Sequence, residues 1–412
     1  MAEDRHVAVL VVGGGPSGLA CAASLAGSCE VLVVEREQRA GGIPRHSDHT
    51  GYGLRDRRRL MRGPAYAEAW RTAALDAGAE LLEGAMVTGW TGDREVSVTS
   101  PAGRFRVGAD AVVLATGVRE RPRSARRIPG DRPDGVLTTG QLQNLVHLRH
   151  HEVGHAAVVV GGELVSWSAV LTLREAGCRT VAMVTPYAKA EAYALFRWAG
   201  RAALRVPVVG HSDVVRIEGR VRVRSVVVRD RATGAETTVA CDTVVTTGDW
   251  IPDHELARSR GLELDPGTRG PAVDAALRTD APGVFAVGNL LHPADTADVA
   301  ALDGAHVVAA VRDWLDRGGT RRGVRIAAEP PLRWVSPQYV EPGGEPPARE
   351  RLLSWTDTLV RRPVVEALQD GRVVGRCRTW WPAAPGRVFR IPSGILDDVD
   401  ATRGEVTVRL RA

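Results

Sequence analysis

The sequence predicts an α/β chain with two nested Rossmann-like dinucleotide-binding domains and a small C-terminal β-domain. Three observations carry this. An apolar run, Val7 to Val12, feeds Gly13-Gly14-Gly15-Pro16-Ser17-Gly18 and then an alanine-rich stretch, the order strand, G-x-G-x-x-G turn, helix. A second strand, turn and helix of the same kind opens at Ala156 and passes through Gly161-Gly162. Residues from 350 onward alternate as short strands separated by turns.

In the first opening each glycine has a separate task. Gly13 allows the tight turn, Gly15 lets a diphosphate approach the backbone, and Gly18 lets the helix pack close to the strand. The helix N-terminus offers free N–H groups and the positive end of its dipole to the phosphates. The next strand, Val31 to Val34, ends in Glu35. A carboxylate there accepts hydrogen bonds from ribose hydroxyls and repels a 2′-phosphate. Arg39 to Gly53 is rich in glycine and includes Arg45, His46 and His49, which marks an irregular loop of the kind that often carries function. Tyr66 to Gly78 reads as an amphipathic helix and Ala79 to Val87 as a strand. Val96–Thr99 and Phe105–Val107 form a hairpin, and Ala111–Ala115 is a separate buried strand ending in Thr116-Gly117.

The second opening is not equivalent to the first. Its turn reads Gly161-Gly162-Glu163-Leu164-Val165-Ser166, so Glu163 and Ser166 replace the second and third glycines. A carboxylate beside a diphosphate is unfavourable by Coulomb repulsion in a poorly solvated turn. The following strand ends Met183-Val184-Thr185, with neither an acid for a ribose nor an arginine for a 2′-phosphate. Two readings stand: this fold has lost a normal nicotinamide site, or Glu163 turns outward and NAD(P) still binds.

Thr243 to Thr247 returns to a buried strand, and Thr279 to Asn289 contains another that ends in Gly288-Asn289 before a helix from about Ala297 to Asp316. Six prolines between Ala328 and Arg349 read as a linker. The expected organisation is therefore 1–122 with 243–325 as one domain, 123–242 as the second, 326–349 as linker and 350–412 as the β-domain. The last contains no catalytic motif, which points to docking.

The chain has 412 residues and a net charge of +5, carried by arginine spread along its length rather than grouped, which argues against nucleic-acid binding. The densest run, Arg57-Arg58-Arg59, reads as a solvated helix start. No apolar run reaches the roughly eighteen residues of a membrane span. The first strand begins behind acidic and polar residues with no basic leader, so a cytoplasmic protein is expected. Cys21, Cys29, Cys178, Cys241 and Cys377 contain no C-x-x-C, which removes a local redox dithiol and a local zinc or iron–sulfur site. His147 and His151 share a helical spacing, but no acid or cysteine completes a metal set, and no metal is expected.

The segments Val12–Gly18, Glu35, Gly41-Gly42, Ala115-Thr116-Gly117 and Gly283-Val284-Phe285-Ala286-Val287-Gly288-Asn289 together resemble the pyridine nucleotide-disulfide reductase class of flavoproteins, over residues 7 to about 318. Within it, Gly41-Gly42-Ile43-Pro44-Arg45-His46, Thr138-Thr139-Gly140-Gln141-Leu142 and Asp249-Trp250-Ile251-Pro252 resemble the large FAD subunits of heteromeric sarcosine oxidase, hydrogen cyanide synthase, opine oxidase and dye-linked proline dehydrogenase. The resemblance implies FAD, oxidation of a C–N bond in a small amine or amino acid, and partner redox subunits carrying flavin or iron–sulfur centres. It implies cofactor contacts at Gly13, Gly15, Pro16, Ser17, Gly18, Glu35, Arg36, Gly42, Ile43, Arg45, Val87, Ala115, Thr116, Gly117, Gly288, Asn289, Thr296 and Ala297. Two departures matter: the cysteine-rich region of such chains is absent, and the ribityl-binding Asp of the wider class is Asn289. On this resemblance the helix from around Thr296-Ala297-Asp298 would aim its N-terminus at the flavin N1–C2=O region, which favours the reduced anion.

Arg45, His46 and His49 are the candidates near the flavin ring. Either Arg45 or His46 binds a carboxylate or phosphate, or tunes the flavin, or the segment is a structural loop whose histidines bind backbone carbonyls. The expected function is that of an FAD-dependent oxidoreductase working as one component of a heteromeric enzyme. The alternatives are a self-contained NAD(P)H-dependent flavin reductase and a flavin-bearing scaffold without turnover of its own.

Overall fold

A computed structural model describes residues 4–188, 205–293, 296–320 and 322–411. The chain divides into two compact units, one of Met1–Arg45, Gly51–Val118 and Pro252–Ala412, the other of His46–Thr50 and Arg119–Ile251. The α/β architecture is the one expected.

The first unit is built on a seven-stranded sheet in the order Glu80–Glu83, Val31–Glu35 (β2), Arg5–Val12 (β1), Gly103–Leu114, Glu95–Ser100, Met86–Trp90, with Val284–Ala286 paired to Gly103–Leu114. β1 runs parallel to β2 and to Gly103–Leu114, Val12 lying opposite Val34 and Leu114. Val9, Leu10 and Val11 are fully buried, as in a central parallel strand, which is why the strand reads as an unbroken apolar run. The hairpin strand and the buried strand expected separately are one strand, Gly103–Leu114. Its first half pairs antiparallel with Glu95–Ser100, and Val107 to Leu114 pair with β1. Gly108 and Asp110 interrupt the apolar pattern without interrupting the ladder. The single strand expected over Ala79–Val87 is two, turning at Gly84 with φ +69°. Arg57-Arg58-Arg59 precede the helix, which starts at Gly63, and Arg57 stacks on Trp70 at 4.0 Å.

The second unit has a parallel five-stranded sheet ordered Val136–Thr138, Thr243–Thr246, Ala156–Val160, Arg179–Val184, Val208–Val209, and an antiparallel sheet of Ser212–Glu218, Ser225–Asp230 and Glu236–Ala240. Thr243–Thr246, assigned from sequence to the first domain, belongs here, because Ala157 pairs with Thr243 and Val160 with Thr246.

The expected linker, residues 326–349, is not a linker. Val324–Ala328, Leu332–Ser336 and Tyr339–Val340 are strands of the C-terminal β-structure, Ile326 pairing with Val406 and Val335 with Ser354. The prolines occupy the turns: Pro330, Pro331 and Pro337 fall between strands that bury Ile326, Leu332 and Val335 in one core with Phe389, Ile391 and Val408. No helix among the described residues is long and apolar enough to cross a membrane.

Candidate functional site

The helix that follows the first glycine turn, Pro16–Leu25 (α1), shows why each glycine is needed. Gly13 holds φ +108°, and a Cβ there would lie 2.5 Å from the Ala115 carbonyl oxygen. A Cβ on Gly18 would lie 2.0 Å from the Gly13 carbonyl, so α1 rests directly on the turn. Gly15 differs: a Cβ there meets nothing within 4 Å. Packing inside the protein does not require this glycine, and the space above it is open. Gly15 is also the N-cap of α1 and no side chain caps it, while Pro16 supplies no N–H. An open cradle ending in uncapped helix donors fits a diphosphate.

Glu35 is buried at the end of β2. Gly14 N–H donates to its Oε2 at 2.7 Å and Glu37 N–H to its Oε1 at 2.8 Å. Burial pushes the carboxyl pKa up, and these two donors oppose that shift. Each oxygen keeps a further lone pair for a ribose hydroxyl. Gly41 N–H donates to the Gly14 carbonyl at 2.6 Å, and the Gly42 Cα region packs on Gly15, where an added Cβ would lie 3.0 Å from the Gly15 Cα. Ile43 is exposed, and the Arg45 side chain lies across Gly41. Arg36 reaches Asp253 at 3.4 Å, and Thr116 Oγ1 donates to the Asp253 carbonyl at 2.8 Å. Val87 is buried within Met86–Trp90, paired with Val98.

Gly288 (φ +71°) sits where an added Cβ would lie 2.7 Å from Ser17 Oγ, and Asn289 follows it in a single helical turn. Thr296 is the N-cap of the helix Ala297–His306, which packs on α1 through Gly304, where a Cβ would lie 2.0 Å from the Ser17 carbonyl. Gly13–Gly18, Glu35, Gly42, Ala115–Gly117 and Gly288-Asn289 therefore converge at the carboxyl ends of β1, β2, Gly103–Leu114 and Val284–Ala286. That edge is where ligands bind in open α/β sheets.

Sequence reasoning missed a charged cluster beside Thr296. Asp298, buried in the first turn of the Ala297 helix, pairs with Arg55 at 3.2 Å. The loop that carries Arg55 is tied down by Asp56, whose Oδ2 accepts from Tyr66 Oη at 2.6 Å and Trp70 Nε1 at 3.0 Å. An acid two positions beyond a Thr N-cap was the available signal.

His46 and His49 lie in the second unit. His49 Nε2 lies 2.7 Å from Ser168 Oγ and 3.0 Å from Ser47 Oγ, while Nδ1 donates to the Thr50 carbonyl at 2.8 Å. Gln143 Nε2 also donates to Ser168 at 2.8 Å. The His46 carbonyl accepts from His147 Nδ1, whose Nε2 meets Glu175 at 2.9 Å. Both ring nitrogens of His49 and of His147 are thus held by neighbouring protein groups.

In the second glycine turn the Glu163 carboxylate folds inward. Its Oε2 accepts from Ser166 Oγ at 3.0 Å, Thr247 Oγ1 at 3.3 Å and Gly162 N–H at 3.2 Å. A Cβ on Gly248 would lie 2.7 Å from Glu163 Oε1. Burial pushes the Glu163 pKa up, against these donors and the nearby Arg126 guanidinium. Arg126 donates to the Thr247 carbonyl at 2.8 Å and the Gly248 carbonyl at 2.6 Å. The protein's own carboxyl group sits at the start of the helix Leu164–Glu175, the place that is open in the first turn.

The chain is 26% identical over 322 residues to a thioredoxin reductase of Mycolicibacterium smegmatis, covering 74% of this chain and 96% of that protein. It is 34% identical over 151 residues to one of the subunits of opine oxidase from Agrobacterium tumefaciens, covering 33% of this chain and 28% of that one. Its fold matches the crystal structure of T. acidophilum thioredoxin reductase with a TM-score of 0.63 at 21% identity, over 75% of this chain and 98% of that one. The family model described as pyridine nucleotide-disulphide oxidoreductase matches residues 7–304, and the chain belongs to that family of FAD/NAD(P)-binding oxidoreductases.

Proposed function

We propose that this chain is an FAD-dependent oxidoreductase that serves as the large subunit of a heteromeric amine or amino-acid dehydrogenase or oxidase and passes electrons to partner redox subunits. The observation that carries the reading is the contrast between the two glycine turns. The space at Gly15 is open, whereas Glu163 sets the protein's own carboxylate into the second turn. A chain that holds FAD but has no working pyridine-nucleotide site must take its electrons from another donor, and the local similarity to opine oxidase supports a C–N substrate. None of the five cysteines stands in a C-x-x-C pair, which supports this reading over a thioredoxin-reductase type of dithiol exchange.

Bound FAD supplies reversible two-electron transfer. The chain's own groups hold and tune it. The N–H groups at the start of α1 and the open Gly15 cradle take the diphosphate, and Glu35 accepts the adenosine ribose hydroxyls. The Asn289 amide hydrogen-bonds the ribityl chain without adding charge. The N-terminus of the Ala297 helix favours negative charge at the pyrimidine end of the flavin. Substrate is oxidised here or on a partner's flavin, and the C-terminal β-structure docks the partner.

The test is to purify the chain alone and co-expressed with its neighbouring-gene products, release and identify the flavin, and assay amine and amino-acid oxidation with a dye acceptor. FAD in both preparations with turnover only in the complex supports the reading. Turnover of NADH or NADPH by the isolated chain replaces it with the self-contained reductase. FAD without turnover in any preparation leaves the scaffold reading.

A further inference from the structure

Helix N-termini favour nearby negative charge because the unpaired N–H groups there carry about half a positive charge. The Ala297–His306 helix begins with a carboxylate of its own. Asp298 is 2% exposed, and its Oδ1 accepts the hydroxyl of Thr296 and the Val299 N–H at 3.0 Å. Uncompensated, this carboxylate cancels the helix end and sets a fixed negative charge there. Arg55 compensates it. The Arg55 backbone N–H donates to Asp298 Oδ2 at 3.1 Å, and Nη1 lies 3.3 Å from Oδ1, 3.2 Å from Oδ2 and 3.2 Å from Thr296 Oγ1.

The loop bearing Arg55 is built to hold that position. Tyr66 is fully buried; its hydroxyl donates to Asp56 and lies 3.3 Å from the Ala297 carbonyl, so the helix start, the Tyr66 ring and the residue next to Arg55 form one cluster. Arg57 stacks on Trp70, and Trp70 Nε1 binds the same Asp56 oxygen. Asp56 therefore anchors the loop while Arg55 neutralises Asp298.

We infer that the Arg55–Asp298 pair is a positioning and charge-setting device for the flavin: Arg55 offsets Asp298 so that the Ala297 helix end can accept the negative charge that develops on reduction. This rests on the proposal that FAD lies with its pyrimidine end at that helix. An oxidised flavin that takes up two electrons and one proton gains one net negative charge, so a fixed charge at this end shifts the reduction equilibrium by an amount whose sign follows the charge. Removing Arg55 disfavours reduction, removing the charge of Asp298 favours it, and removing both restores the starting balance.

The experiment uses the FAD-loaded full chain and the variants Arg55→Gln, Asp298→Asn, the double variant and Arg55→Lys. Each is equilibrated anaerobically with a reference dye during slow enzymatic reduction by xanthine and xanthine oxidase. A residue worth about 1.4 kcal/mol changes the reduced-to-oxidised ratio about tenfold at a fixed dye ratio. The expected result is a fall in that ratio for Arg55→Gln, a rise for Asp298→Asn, a double variant close to wild type, and Arg55→Lys close to wild type because the charge remains. A merely structural pair gives shifts of one sign or none. Bound FAD with an unmoved ratio in Asp298→Asn, or the same sign in both single variants, overturns the inference. Asparagine fits the space of aspartate, so Asp298→Asn decides the matter if Arg55→Gln does not fold. A wild-type chain that takes up no FAD on reconstitution overturns the functional proposal itself, a distinguishable result.

Discussion

Glu163 and Ser166, the two residues that depart from the glycine pattern of the second turn, hydrogen-bond each other at 3.0 Å. Ser166 Oγ also lies 2.7 Å from Thr247 Oγ1, so the substitutions act as a unit rather than as two separate losses. The unit fills the turn from within with the protein's own hydrogen-bonded side chains.

Glu163 yields a pH prediction. Burial raises its folded pKa above that of the unfolded chain, so the folded state binds the proton more tightly. Its stabilising contribution is full below the ordinary carboxylate range and is lost as pH rises through the raised folded value. Thermal unfolding of wild type and Glu163→Gln at stepped pH should show wild type losing ground to the variant as pH rises through that window. Parallel curves would contradict it.

The glycines of the first turn separate structural from ligand roles. Gly18→Ala places a methyl group against the Gly13 carbonyl and is expected to cost about 1–3 kcal/mol or more, read as a lower unfolding midpoint. Gly15→Asp points into open space and should fold with a near-normal circular dichroism spectrum yet carry no flavin. Full flavin in that variant would refute the site.

A buried ion cluster gives the third prediction. His292 Nε2 lies 2.6 Å from Asp303 Oδ2, and Arg349 Nη1 lies 3.0 Å from Asp303 Oδ1. Burial opposes ionisation of Asp303, but His292 and Arg349 outweigh it and hold the carboxyl below its usual range. This contribution is full above the unfolded carboxylate value and is lost as pH falls through the depressed folded one. Asp303→Asn should cost about 3 kcal/mol near neutral pH and flatten the acid limb of the stability profile in urea titrations. An unchanged acid limb would show that the cluster does not titrate with unfolding.

How far the sequence reached depends on where the information lies along the chain. Val7–Val12, Gly13–Gly18 and Glu35 are contiguous or nearly so, and their pattern is the local geometry itself, so the first turn was legible. Gly103–Leu114 was not legible as one strand because Gly108 and Asp110 resemble a turn, and only pairing with both β1 and Glu95–Ser100 keeps them extended. The prolines of 328–349 hid strands for a similar reason: composition marks the turns, while the ladder of Ile326 with Val406 joins residues far apart in sequence. Arg55 with Asp298 shows the same limit at the candidate site, since a pair so distant in sequence leaves no local motif.

The most direct measurement is an anaerobic titration of the flavin-loaded chain with NADH and then NADPH, following the flavin absorbance. The inward Glu163 predicts no bleaching by either nucleotide, with normal reduction by dithionite. Prompt bleaching at stoichiometric nucleotide would mean that the second turn still works, and would contradict the account of a closed pyridine-nucleotide site.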